Sequence, residues 1–230
     1  MYFQHSADIW QDFPTLVAGL TLVGEVSPDT SVREQVASLY EIADARLAAA
    51  PEGEMPEIQA WRRTFSKMGL KPTQYRCASE SLLRRYRKER SLPEIHPLID
   101  LCNAVSLAYA IPIAVFDVSK VTDFLEVRRA RGTESYLTFS GESETASEGE
   151  VVFADAADQA HARRWTNRQS SLSSIQPTTG SALIVTEALH ESAPADIESL
   201  LNTLGRELGA LWSVTSKPVV LNATAPRFDF

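Results

Sequence analysis

The hydrophobic and polar positions change period several times along the chain, and each change predicts an element. Loose alternation over residues 13–26, rich in Val, Leu and Thr, predicts an early strand. Pro28, Asp29 and Thr30 offer a helix start. Val32, Val36, Leu39, Ala43 and Leu47 then repeat at helical spacing through residues 31–50. PEGEMP at 51–56 is a linker, 56–68 is a second helix ended by Gly69, and 78–90 is a third. Next comes HPLIDLCNAVSLAYAIPIAVFD at 96–117, where Leu98, Leu101, Cys102, Val105 and Ala108/Tyr109 form a helical stripe. Pro97 suits the first helical turn, and Pro112 cannot continue the helix. Strands follow near 113–118 and 122–129, and residues 133–149, dense in Gly, Ser and Glu, predict a mobile hairpin tip or loop. Further strands at 151–154 and 182–187 flank the segment RRWTNRQS, a helix spans 194–211, and 217–221 closes as a strand. The opening residues 1–6 receive no element and no role. Helices and strands mix without strict alternation, which predicts an α+β fold, a mixed sheet flanked by helices, over one domain at 1–230.

Two polar residues interrupt the apolar helix. Asp100 and Asn103 are three apart and share a face, with His96 a turn earlier. Polar groups so close to core positions need partners, since an unpaired buried carboxylate or amide is costly. They either bond neighbouring backbone or line a pocket. RRWTNRQS packs Arg163, Arg164, Trp165, Asn167, Arg168 and Gln169 together. If extended, it presents Arg163, Trp165 and Asn167 on one face and Arg164, Thr166 and Arg168 on the other. Arginine forks grip carboxylates or phosphates, and Trp offers a stacking plate. The alternative pairs these arginines with local acids such as Asp155 and Asp158.

Composition narrows the options. With 44% hydrophobic and 23% charged residues, the chain reads as an ordinary globular protein. No apolar run approaches the ~20 residues of a membrane span and no signal pattern opens the chain, so a cytoplasmic protein without membrane contact is expected. Cys77 and Cys102 read as small reduced core residues, and nothing completes a metal set, so neither metal nor cofactor is expected. The net charge of −8 hides a basic stretch from Arg62 to Arg90, with ten Lys/Arg against Glu80 and Glu89. Arg84, Arg85, Arg87 and Lys88 within it form either a polyanion-binding surface or a solvated helix face. No G-x-S-x-G elbow is present, and His96, His161 and His190 are the imidazoles that could serve as bases.

The helix–strand segment resembles the signature N-N-V-V-D-[IV]-[TS]-N-Y-V-x-L-E-x-G-Q-P-x-H-A-F-D of the B3/B4 editing domain in the phenylalanyl-tRNA synthetase β-chain. Asp100, Asn103, Val105, Leu107, Pro112, Phe116 and Asp117 fall on matching letters. PTQYRCASESLLRR, GEVVFADA, RRWTNRQS and PTTGSALIVTEAL are similar to free-standing B3/B4 proteins, in the same order. The resemblance implies a B3/B4-like fold and a trans-editing hydrolase that deacylates a mischarged or non-standard aminoacyl-tRNA by water attack on the ester. It makes the aminoacylated tRNA 3′ end the expected partner, with no DNA. The alternative is a non-catalytic module binding tRNA or a small ligand such as an amino acid. In the synthetase domain the pocket takes mischarged tyrosine through a Glu near a Gly pair. Here Arg168, Gln169 and Ser170 occupy that region. The expected substrate-binding residues are Arg76, Asp100, Asn103, Arg164, Trp165, Asn167, Arg168, Gln169 and Thr178, and all of these except Trp165 and Gln169 are expected to converge on one cavity. Catalytic residues are not assignable from sequence.

Overall fold

The computed structural model describes residues 1–230 and contains two stacked sheets, with helices on both sides of one of them. The strands are β1 Tyr2–His5, β2 Val17–Gly24, β3 Ile113–Asp117, β4 Phe124–Arg129, β5 Ser135–Leu137, β6 Ser143–Thr145, β7 Val151–Asp155, β8 Ala160–Arg163, β9 Arg168–Gln169, β10 Ser181–Ala188, β11 Ser213–Val214, β12 Val219–Leu221 and β13 Arg227–Asp229. The helices are α1 Ala7–Asp12, α2 Arg33–Ala49, α3 Pro56–Lys67, α4 Ala78–Glu89, α5 Pro97–Tyr109 and α6 Ala193–Gly209. One sheet runs β13-β1-β4-β7-β8-β9, antiparallel except where β1 lies parallel to β4. The other runs β11-β2-β10-β3, all antiparallel, and β12 shares the β2 edge with β11. The α+β class expected from the pattern is the class observed.

Strand β10 shows why the layers form. Its run SALIVTEA is buried on both faces, so alternation distributes it between two cores. Leu183 and Val185 join Phe3, Leu125, Phe153 and Trp165 between the sheets, closed off by α1, α3 and α4. Ala182, Ile184 and Ala188 face outward, where α2, α5 and α6 cover them. Helix α6 sits directly on the β2 backbone at Gly19, where a Cβ would stand 2.9 Å from the Ile197 and Thr186 methyl carbons. A larger residue there would lift the helix off the sheet.

Several short elements escape the sequence pattern: β1, α1, β8, β9, β11 and β13. The opening residues, read as carrying no role, bury Phe3 and His5 in the core. Residues 133–149 form the β5–β6 hairpin rather than a bare loop. Its base is built on Glu134, a fully buried carboxylate that takes the N–H groups of Arg131, Gly132 and Thr133 and pairs with Arg128. Burial alone would push the Glu134 carboxyl up, but these donors hold it below the usual range.

Asp155 works the same way at the end of β7. Its Oδ1 accepts from Ala157 N at 2.9 Å and Gln159 N at 3.0 Å, and its Oδ2 accepts from Thr122 N at 3.0 Å. His161 Nε2 stands 3.3 Å away. Burial pushes this carboxyl up, but the His161 ring and the backbone donors outweigh it and bring it down from 3.8 to about 2. A depressed folded-state pKa stabilises fully above the unfolded pKa, and that contribution disappears as pH falls through the folded value. Wild type should therefore lose about 2 kcal/mol more than Asp155→Asn between about pH 5 and pH 2, read from urea unfolding.

Candidate functional site

RRWTNRQS is not an extended strand. β8 ends at Arg163, residues 164–167 turn, and β9 begins at Arg168. Arg164 and Trp165 both take left-handed backbone, with φ of 48° and 56°. Each such residue costs about 1–2 kcal/mol without glycine, so the surroundings must enforce the turn. Trp165 does most of this. It is fully buried, edge-on to Phe13 at 5.0 Å and to Trp61 at 5.1 Å. Its backbone N–H donates to Val151 O at 2.7 Å, and the Thr166 carbonyl accepts from Ala78 N at the start of α4. The turn thereby joins β7, α3 and α4.

The indole Nε1 donates to Glu187 Oε1 at 2.9 Å, and His5 Nε2 reaches the same oxygen at 2.6 Å. Glu187 follows Leu183 and Val185 on the inner face of β10, so register aims it between the sheets. Its other oxygen, Oε2, accepts no hydrogen bond from the protein. Beside it lies a cavity of about 60 Å³, walled by Ala114, Phe153, Trp165, Asn167, Arg168 and Glu187 among others. β9 and the edge strand β3 both contribute to its lining, bridged by Gln169 Nε2 donating to Val115 O at 2.6 Å. Sequence reading missed Glu187 and His5. An acidic residue at an inward position of ALIVTEAL was the available signal for the first.

The convergence expected of the site residues does not occur. Trp165, Asn167, Arg168 and Gln169 line the inter-sheet cavity. Arg76 adjoins it, its carbonyl accepting from Asn167 Nδ2 at 2.7 Å while its guanidinium turns to Glu80 at 3.4 Å. Arg164 lies over the Tyr75 ring at 4.8 Å with no carboxylate partner. Asp100 and Asn103 instead line a second, larger cavity of about 590 Å³, with Arg33, Tyr40, Glu94 and His96. Sheet β11-β2-β10-β3 separates the two groups, because α5 packs on its outer face. Thr178 is exposed and belongs to neither cavity; its neighbour Thr179 is the buried one, donating to Asp117 Oδ2 at 2.7 Å.

The arginines of the turn do meet local acids, but not those expected. Arg163 binds Glu150 at 2.8 Å and Glu144 at 2.6 Å, and Arg168 shares Glu144 at 3.0 Å while lying over Tyr136. Asp158 pairs with Arg128 and Arg131 instead. In the larger cavity Asp100 Oδ1 accepts from Ile95 N at 2.9 Å, whereas the half-buried Asn103 amide has no protein partner, against expectation. Burial raises the Asp100 carboxyl and lowers the His96 imidazole.

The basic stretch is also more neutral in space than in sequence. Arg84 and Arg87 both reach the buried Glu52, at 3.3 and 2.8 Å, from a segment read as linker. Arg85 pairs with Glu89 within the helix, and Arg90 with Asp44. Lys88 makes no ion pair. Leu83 and Tyr86 face inward as the helical pattern predicts.

The fold and site together define a two-sheet α+β architecture with a small cavity between the sheets that holds a buried carboxylate. The B3/4 domain profile matches residues 60–202, more than half of the sequence, and the chain belongs to the B3/4 domain family. Among solved structures it is similar to an N-terminal fragment of the phenylalanyl-tRNA synthetase beta-subunit from Pyrococcus horikoshii. Sequence identity is 9% and the TM-score 0.44, over 90% of this chain and 47% of that one. The chain thus spans about half the length of that fragment. A search of curated proteins returned no match. No helix is long and apolar enough to cross a membrane.

Proposed function

We propose that this B3/4 domain, taken as one unit over residues 1–230, binds an aminoacylated tRNA 3′ end and hydrolyses its ester with a bound water in the inter-sheet cavity. The observation that carries the reading is Glu187, a buried carboxylate fixed through one oxygen by His5 and Trp165 and lining the cavity. An α-ammonium beside the ester is the natural complement of the remaining oxygen. The ester is already activated, so placing water and carbonyl in register supplies most of what the reaction needs. Asn167, Arg168 and Gln169 supply the polar wall, with Arg76 and Arg164 at the rim. Arg164, stacked on Tyr75, suits a terminal base or phosphate. A volume of about 60 Å³ holds roughly two waters, which favours a small side chain such as Gly, Ala or Ser over tyrosine.

A deacylation panel across aminoacyl-tRNAs tests this, with turnover expected for the small residues first. Retained tRNA binding with no turnover on any member would favour the second reading, a non-catalytic small-ligand module. That reading draws on the larger cavity, whose volume of about 590 Å³ falls in the range of ligand sites.

For the basic surface, Arg85 and Lys88 are the informative pair, because changing them leaves the ion pairs to Glu52 intact. Reversing both to Glu should weaken tRNA binding and lower the slope of log affinity against log salt by about one per lost phosphate contact. An unchanged slope would make this helix face a plain solvated one.

A further inference from the structure

We propose that Glu57, His190 and Asp196 form a site for one borderline divalent cation of the Zn2+ type. Glu57 comes from the first turn of α3, Asp196 from the first turn of α6, and His190 from the connection between β10 and α6. One ligand atom from each lies within 4.8 Å of the other two. Glu57 lies far in sequence from His190 and Asp196, so no spacing motif reveals the set, and the sequence reading expected no metal.

A second feature, beyond the clustering, points to a cation. Glu57 is 7% exposed and His190 4%, yet Glu57 Oε2 and His190 Nδ1 have no hydrogen-bond partner. Buried acceptors are seldom left unmatched, because the desolvation they suffer goes unrepaid. Arg46 Nη2 donates to Glu57 Oε1 at 2.8 Å and Nη1 to Ala108 O at 3.2 Å, which leaves Oε2 of Glu57 open. His190 Nε2 meets Asp196 Oδ2 at 2.8 Å, so Nδ1 is the ring atom left for a cation.

The donor set selects the ion. Imidazole with two carboxylates suits zinc and its transition-metal neighbours better than calcium or magnesium. Zinc binds such atoms at about 2.0–2.2 Å, and the three ligand atoms already lie within 4.8 Å of one another. Ser192 Oγ already donates to Asp196 Oδ2 at 2.6 Å, the kind of outer contact that orients a metal-bound carboxylate. A bound ion would tie α3 to the start of α6.

The test uses the full chain, stripped with chelator and titrated with ZnCl2 by calorimetry, thermal unfolding and, with Co2+ substituted, visible absorption. The expected result is one saturable equivalent, a melting temperature that rises with zinc, and Co2+ bands typical of low coordination number. Affinity should fall in acid, since metal ligands must be deprotonated to bind. Glu57→Gln and His190→Gln should each weaken binding by more than about tenfold, with far-UV circular dichroism confirming that both fold. Absence of a saturable equivalent or of Co2+ bands in wild type would overturn the proposal. So would unchanged affinity in the two folded variants.

Discussion

Replacing Trp165 with Ala should lower stability by about 3–5 kcal/mol, the range for removing a large aromatic from a packed core. The indole is fully buried between Phe13 and Trp61, so little can collapse into the space it leaves. It also holds a turn that is unfavourable on its own, with two successive residues at positive φ. Removing it takes away the packing while leaving the backbone cost in place. Trp165→Phe should recover most of the packing but deprive Glu187 of its indole donor. The measurement is a denaturant midpoint for each variant. A loss below about 1 kcal/mol for Trp165→Ala would show that other contacts hold the turn.

Glu187→Gln should separate the chemistry of the cavity from its architecture. The amide keeps the shape and one acceptor, but loses the charge that faces the cavity. Deacylation of the preferred substrate should fall by roughly ten- to a thousandfold, the range for losing a preorganised electrostatic partner. Stability should fall by only about 1–3 kcal/mol, because His5 and Trp165 can each still find part of their hydrogen bonding. Both quantities are to be read well below the melting temperature, so that unfolding does not imitate lost activity. Turnover within twofold of wild type would remove Glu187 from the chemistry.

Much of the fold was legible because its long elements carry strong periodicity. α3, α4, α5, α6 and β10 bury one stripe or both faces, and apolar spacing reports that directly. The short strands β8, β9 and β13 span two to four residues each, too few for any period to show. The conditional extended arrangement of RRWTNRQS is not the one adopted, for a related reason. Left-handed backbone at Arg164 and Trp165 is imposed by tertiary packing, with no Gly or Asn at either position to announce it. Asp100 and Asn103 were rightly singled out as polar positions beside a core. Which side of the sheet their helix covers is a property of three-dimensional layering, and one-dimensional spacing does not contain it. The basic stretch misled in the same way, since Glu52 and Asp44, which neutralise it, lie outside the segment.

Strand β1 has a consequence for how the cavity comes into being. Tyr2–His5 is laid between β4 and β13, and its register pairs Tyr2 with Phe124 on one side and Asp229 on the other. Such distant pairings form late, because a long loop must close before any contact rewards it. His5, at the end of this strand, is one of the two groups that hold Glu187. A nascent chain therefore cannot orient that carboxylate until β4, Trp165 and Glu187 have all been made. Until that point the space between the sheets lacks its ordered acid.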